Sequence, residues 1–135
     1  MKQCIKELNM NEKNFNPRSM ISEVSSAKNE LLTPKQYETE AMGDFRKEQV
    51  ARIYKLYQEK LFSNNALDFD DIIFRTVELF RCRPDVLERY QDRFRYIMVD
   101  EYQDTNTAQY KFIRLLAGKH KNLCVVGDDD QAIYK

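Results

Sequence analysis

Two short apolar runs, at residues 96–99 and 123–126, each close on carboxylates: Asp100-Glu101 after the first and Asp128-Asp129-Asp130 after the second. Between them lies an amphipathic segment carrying Tyr110, Phe112, Ile113, Leu115 and Leu116, enough for one helix. Strand, helix, strand at this spacing predicts a βαβ unit with parallel strands and a right-handed crossover. Parallel strands point their carboxyl ends the same way. Both acidic clusters are therefore expected on one edge of the sheet, where α/β proteins bind ligands.

The rest of the chain reads as helix. Asn16 followed by Pro17 is a cap-then-proline start, after which Met20, Ile21, Val24, Ala27, Lys28 and Leu31 recur near helical spacing. Thr33, Pro34 and Gln36 make a second start with the spacing of a capping box. From Phe45 the series Val50, Ile53, Tyr54, Tyr57, Leu61 gives a long amphipathic helix ended by Ser63-Asn64-Asn65, with Gly43-Asp44 breaking or bending the chain before it. The organisation changes at Leu67, which suggests a helical subdomain over 1–65 and a second part over 66–135. In that second part Asp68 can cap a helix with Asp71 as its third residue and Ile72, Ile73, Val77 and Phe80 as its apolar stripe. A short helix over 84–90 leads to the first strand, and Thr105 or Thr107 is expected to cap the helix that follows, with Gly118 just past its end.

Composition narrows the classes. The 135 residues carry 22 basic and 22 acidic side chains, a formal net charge of zero, so no strongly basic nucleic-acid footprint exists, although a local groove does not need one. Cys4, Cys82 and Cys124 are odd in number and far apart, which argues against a disulfide framework or zinc site and for a reducing cytoplasm. Cys124, inside an apolar run, reads as a small core hydrophobe, and His120 as a surface residue without ligand partners. No apolar stretch approaches the ~20 residues needed to span a bilayer.

The acidic clusters carry the chemistry. Crowded carboxylates repel one another unless a cation joins them, which favours Mg²⁺. Asp100 is placed to hold the metal, usually through its waters, and Glu101 to orient and deprotonate an attacking water. Gln131 is within reach of a γ-phosphate oxygen. Aspartates after strands often only cap helices or fill turns, but two such clusters on matching strands favour the metal.

These motifs carry a resemblance. The segment from Val99 to Thr105, VDEYQDT, is similar to the Walker B segment of superfamily 1A helicases, the UvrD/PcrA/Rep group. The segment from Val126 to Tyr134, VGDDDQAIY, resembles the next motif of that group, with Ala132 in place of the more usual serine. Leu67-Asp68-Phe69-Asp70-Asp71-Ile72 resembles the segment upstream of Walker B, and Ser25-Ser26-Ala27-Lys28-Asn29 resembles the inserted helical subdomain, 1B. The resemblance covers essentially the whole chain and runs to the PcrA branch of that group. It implies a 1B-like subdomain followed by an incomplete RecA-like unit of a P-loop NTPase, motor domain 1A. It implies ATP and Mg²⁺ as cofactors and ATP-driven 3′→5′ translocation on single-stranded DNA with duplex unwinding, in repair and replication. Carried over, Asp100 coordinates Mg²⁺, Glu101 is the catalytic base, and Gln131 contacts the nucleotide and couples it to DNA. Phe69 and Tyr134 are the aromatics that stack on bases.

The 135 residues contain no glycine-rich phosphate loop of the Walker A type and no second motor domain with its arginine finger. By itself the polypeptide is thus expected to be inactive, needing the rest of a helicase chain as partner, and its strand edges are expected to self-associate. Two other readings fit the same residues: a stand-alone helicase-like module that binds DNA or protein, and the helicase portion of an AddA/RecB-type helicase–nuclease. The 1B match at Ala27-Lys28-Asn29 argues against the latter.

Overall fold

The structure, a computed structural model, describes residues 1–128 and 130. It is α/β and mostly helical, with a two-stranded parallel sheet, as the sequence predicts. The chain divides into two compact units, Met1–Ile72 and Ile73–Lys135.

The first unit contains α1 (Lys2–Glu7), α2 (Pro17–Asn29), α3 (Pro34–Glu40), α4 (Phe45–Ser63) and the first turn of α5 (Phe69–Cys82). Local chemistry sets the helix starts. The Asn16 side chain accepts from the Arg18 amide. Thr33 and Gln36 form a full capping box, and Asp44 accepts from the Lys47 amide. Gly43, at φ +89°, adopts a backbone that a side chain would strain, so the chain breaks there rather than bends. The helices bury Ile5, Met20, Val50 and Ile53 in one cluster, and Val24, Ala27 and Tyr54 in another. Each large apolar side chain so buried contributes roughly 1.5–3 kcal/mol. The Tyr54 hydroxyl donates to the Leu32 carbonyl at 2.9 Å, so its polar end is satisfied inside the core. Ile21 departs from the predicted stripe and is exposed, whereas Lys28 is buried.

The second unit contains the rest of α5, then α6 (Pro84–Arg93), β1 (Ile97–Val99), a 3-10 turn (Tyr102–Asp104), α7 (Thr107–Ala117) and β2 (Leu123–Val125). The two strands are parallel, with Ile97, Met98 and Val99 opposite Leu123, Cys124 and Val125. Along α5 Val77 and Phe80 of the predicted stripe are buried and Ile73 is half-buried, but Ile72 is exposed and Phe74 is buried instead, so the stripe runs at a spacing of three from Phe74. Phe80 stacks on Phe112 at 6.1 Å between centroids and packs against Tyr90 at 5.8 Å. The Gln91 amide donates to the Leu115 carbonyl at 2.7 Å, tying α6 to α7.

Three local expectations need correction in this unit. The cap of α7 is Asn106, not Thr105 or Thr107, because Asn106 and Gln109 exchange hydrogen bonds as a complete capping box. Gly118 has ordinary right-handed helical angles, and the positive-φ residue after α7 is Lys121. Cys124 is exposed and not a core residue, because Met98 and the β2 side chains on both faces of the sheet are accessible. His120 lies 3.2 Å from Asp92, a surface pairing rather than a ligand position.

Candidate functional site

The ladder between β1 and β2 continues past the formal strand ends. The Val126 amide donates to the Val99 carbonyl at 2.8 Å, and the Tyr102 amide to the Val126 carbonyl at 3.0 Å. Those bonds bring the segment after β1 beside the segment after β2, at the carboxyl edge of the sheet. Asp100 and Glu101 both stand there with exposed side chains.

Glu101 is held in a costly conformation. Its backbone is left-handed, φ 53° and ψ 41°, which costs an L residue with a Cβ roughly 1–2 kcal/mol. The Glu101 amide donates to Asp100 Oδ1 at 2.9 Å, so the two carboxylate residues are locked to each other. The chain then closes into the 3-10 turn, with the Asp104 amide donating to the Glu101 carbonyl. Such strain survives where surrounding bonds impose it, and it concentrates at functional positions.

Gln103 is the residue that sequence reasoning missed. Its Nε2 donates to Glu101 Oε2 at 2.6 Å, and its Oε1 accepts from the Asp128 amide at 3.0 Å. One side-chain amide thus bridges the Glu101 carboxylate and the loop after β2, using both halves of its donor and acceptor capacity. Gly127 makes room for it, since a Cβ there would lie 2.9 Å from Gln103 Oε1. The signal was present in the sequence as a glutamine two residues after the glutamate and a glycine beside the second acidic cluster. Nothing local said that the two meet.

A groove of about 530 Å³ runs along this edge, bordered by Val99, Asp100, Glu101, Asp104 and Thr105, with Phe112 forming part of its apolar wall. The donors are hard oxygen ligands, the type Mg²⁺ takes. Among the described residues no three His, Cys, Asp or Glu side chains converge on one metal position. Asp129, Gln131 and Tyr134 of the sequence-predicted site lie outside the described residues.

Phe69 belongs to the first unit. It is the first residue of α5, and its ring is 83% exposed, not packed into a core. The Asp71 amide donates to Asp68 Oδ1 at 2.9 Å and the Asp68 amide to Asp71 Oδ2 at 3.3 Å, a reciprocal cap that fixes the backbone on both sides of the ring.

The family model for the UvrD/REP helicase N-terminal domain matches residues 1–135. The ATP-dependent DNA helicase PcrA of Staphylococcus epidermidis is 54% identical over 134 residues, 99% of this chain and 18% of that protein. PcrA of Staphylococcus aureus is 53% identical over the same share of each. The chain therefore spans about 18% of the length of the curated relatives it matches.

Proposed function

The chain belongs to the UvrD/REP helicase N-terminal domain family, and from that premise we propose that it supplies the hydrolytic edge and a DNA-stacking surface of an ATP-driven 3′→5′ DNA helicase. The observation that carries the reading is the strained, hydrogen-bonded Asp100-Glu101 pair at the carboxyl edge of a parallel sheet. Asp100 is the carboxylate that would hold Mg²⁺, whose charge, when the ion is bound, offsets that of the nucleotide phosphates. Glu101, aimed by Gln103, orients the attacking water and takes its proton. Gln131 contacts the γ-phosphate. Phe69 and Tyr134 stack on bases of the single strand, a grip that tolerates any sequence.

These relatives are named as ATP-dependent DNA helicases. Carried to this chain, those names support ATP and DNA as ligands; single-stranded and duplex DNA as the substrates, work in repair and replication, and a cytoplasmic setting belong to the same proposal and rest on the family resemblance. No helix of the described residues is long and apolar enough to cross a membrane. The phosphate-binding loop and a second motor domain come from other parts of a helicase chain, so the 135-residue polypeptide alone turns over no ATP.

Glu101→Gln tests the reading. In the whole polypeptide in which this segment occurs, DNA-stimulated ATP hydrolysis is expected to fall by about 10²-fold or more, the range for loss of a general base, while nucleotide affinity is kept. Unchanged turnover in that variant, or steady hydrolysis by the 135-residue chain alone, contradicts it.

A further inference from the structure

The two motif segments of the first unit, around Lys28 and around Asp68, meet at a single buried cation. Lys28 Nζ lies 2.6 Å from Asp68 Oδ2 and 3.0 Å from Asp71 Oδ1. Lys28 and Asp71 are each 1% exposed. Gln58 of α4 donates to both Asp71 oxygens, at 3.0 and 3.2 Å, and the Tyr57 ring centroid lies 5.3 Å from the Lys28 nitrogen. One lysine on α2 therefore gathers α4 and the first turn of α5.

Buried ion networks are poor stabilisers. Apolar residues of similar volume often do as well or better, because desolvation cancels much of the attraction. What a cation adds here is geometry. Asp68 and Asp71 are the reciprocal cap of α5, and two carboxylates this close repel unless a charge stands between them. Phe69 sits between them in the chain, facing water rather than a core. A first helical turn frays readily when nothing holds it. An exposed aromatic on a turn anchored to the core is instead pre-organised, and binding then costs less ordering.

We propose that Lys28 is a positioning residue for nucleic acid: by clamping Asp68 and Asp71 it holds the first turn of α5 and presents the Phe69 ring for stacking on an unpaired base. The proposal rests on the reading of Phe69 as a base-stacking residue.

The test uses the whole polypeptide in which this segment occurs, with an oligo-dT containing one 2-aminopurine as the probe. Phe69→Ala is expected to weaken binding about five- to a hundred-fold, the range for one stacked base. Lys28→Met is expected to weaken it several-fold and reduce 2-aminopurine quenching, whereas Lys28→Arg restores most of both. Without DNA, Lys28→Met is expected to accelerate hydrogen exchange at amides 69–72 more than elsewhere in residues 1–72. Asp71→Asn keeps the shape of the cap while removing one charge, and carries the same expectations should Lys28→Met fail to fold. Lower thermal stability with unchanged DNA affinity and no selective gain in exchange overturns the proposal and leaves a structural lysine. If Phe69→Ala itself leaves affinity unchanged, the stacking reading fails and the purpose assigned to the clamp fails with it. The exchange data then still report whether the clamp exists.

Discussion

At Gly127 a single added methyl group would press on Gln103 Oε1, the acceptor that links the Asp128 amide to the Glu101 carboxylate. The obstructing atom is the end of a flexible side chain, so the clash itself is cheap to relieve, but relieving it breaks the bridge. Gly127→Ala is expected to cost no more than about 1 kcal/mol, the net worth of a typical hydrogen bond, while the Asp128 amide exchanges markedly faster. Native-state hydrogen exchange checks this, and protection at Asp128 equal to that of the unaltered chain would contradict it. Asp100 and Glu101 were legible in the sequence because adjacency in the chain makes them a pair. Gln103 was not, since its second partner lies 25 residues away. Lys28 was hidden for the same reason: helical spacing put it in line with the core, but only Asp68, 40 residues on, explains how a charge is buried there.

Helix termini follow local rules that a sequence displays, so several were readable: Asn16, Thr33 and Asp68 all cap where their chemistry predicts, whereas Asp44, read only as part of a break or bend, also caps. The start of α7 was misplaced by one residue because Thr105, Asn106 and Thr107 are all competent caps. The glutamine three residues after Asn106 decides among them through the reciprocal bond. At the other end of an element, Asn65 follows α4 with φ 49°, and the Ala66 amide donates to the Leu61 carbonyl at 2.9 Å, satisfying a helix-end acceptor. Asn65→Gly is expected to leave stability unchanged or slightly higher, since glycine adopts this backbone freely. Asn65→Val is expected to cost about 1–2 kcal/mol or more. Urea midpoints of the two variants should fall on opposite sides of, or equal to and below, the parent value; a stable valine variant would rule out strain at this position. The strands were readable as elements but not as surfaces, because the pattern that makes an apolar run does not say what covers it.

Across the whole molecule, acidity should act on the first unit from two directions. Burial by itself would raise the Asp68 carboxyl, but hydrogen bonds from Lys28 and the Asp71 amide, with the Lys28 charge, hold it below its ordinary value. A depressed carboxyl contributes stability above its unfolded pKa, and that contribution is lost as pH falls through the folded value, below about 4. Burial, the Asp68 charge and a hydrogen bond to Asp68 push the Tyr57 phenol up to about 12. A raised group works in the opposite sense, so its contribution is complete below pH 10.0 and is lost between there and about 12. Chemical unfolding across this range should show a plateau with both flanks falling, and Tyr57→Phe should shrink the alkaline flank and, because the Tyr57 hydroxyl is among the groups that hold the Asp68 carboxyl down, the acid flank to a lesser degree. A stability curve with no acid flank would contradict the role of Asp68. The second unit invites a different measurement. Met98, 77% exposed, and the accessible Leu123, Val125 and Val126 leave a small apolar sheet facing water, so the 135-residue chain is expected to self-associate. Sedimentation velocity resolving one monomeric species at all concentrations would count against that.

The register that sets Met98 opposite Cys124 has one more consequence. The Cys124 thiol is exposed where that of Cys4 is buried, so an alkylating reagent can reach one sulfur in the middle of the sheet. Cys82, exposed on α5, supplies an internal standard for the reagent's own reactivity. The ratio of labelling at the two sulfurs makes the sheet its own occupancy gauge, falling whenever a strand, a helix or a second copy of the chain lies across it.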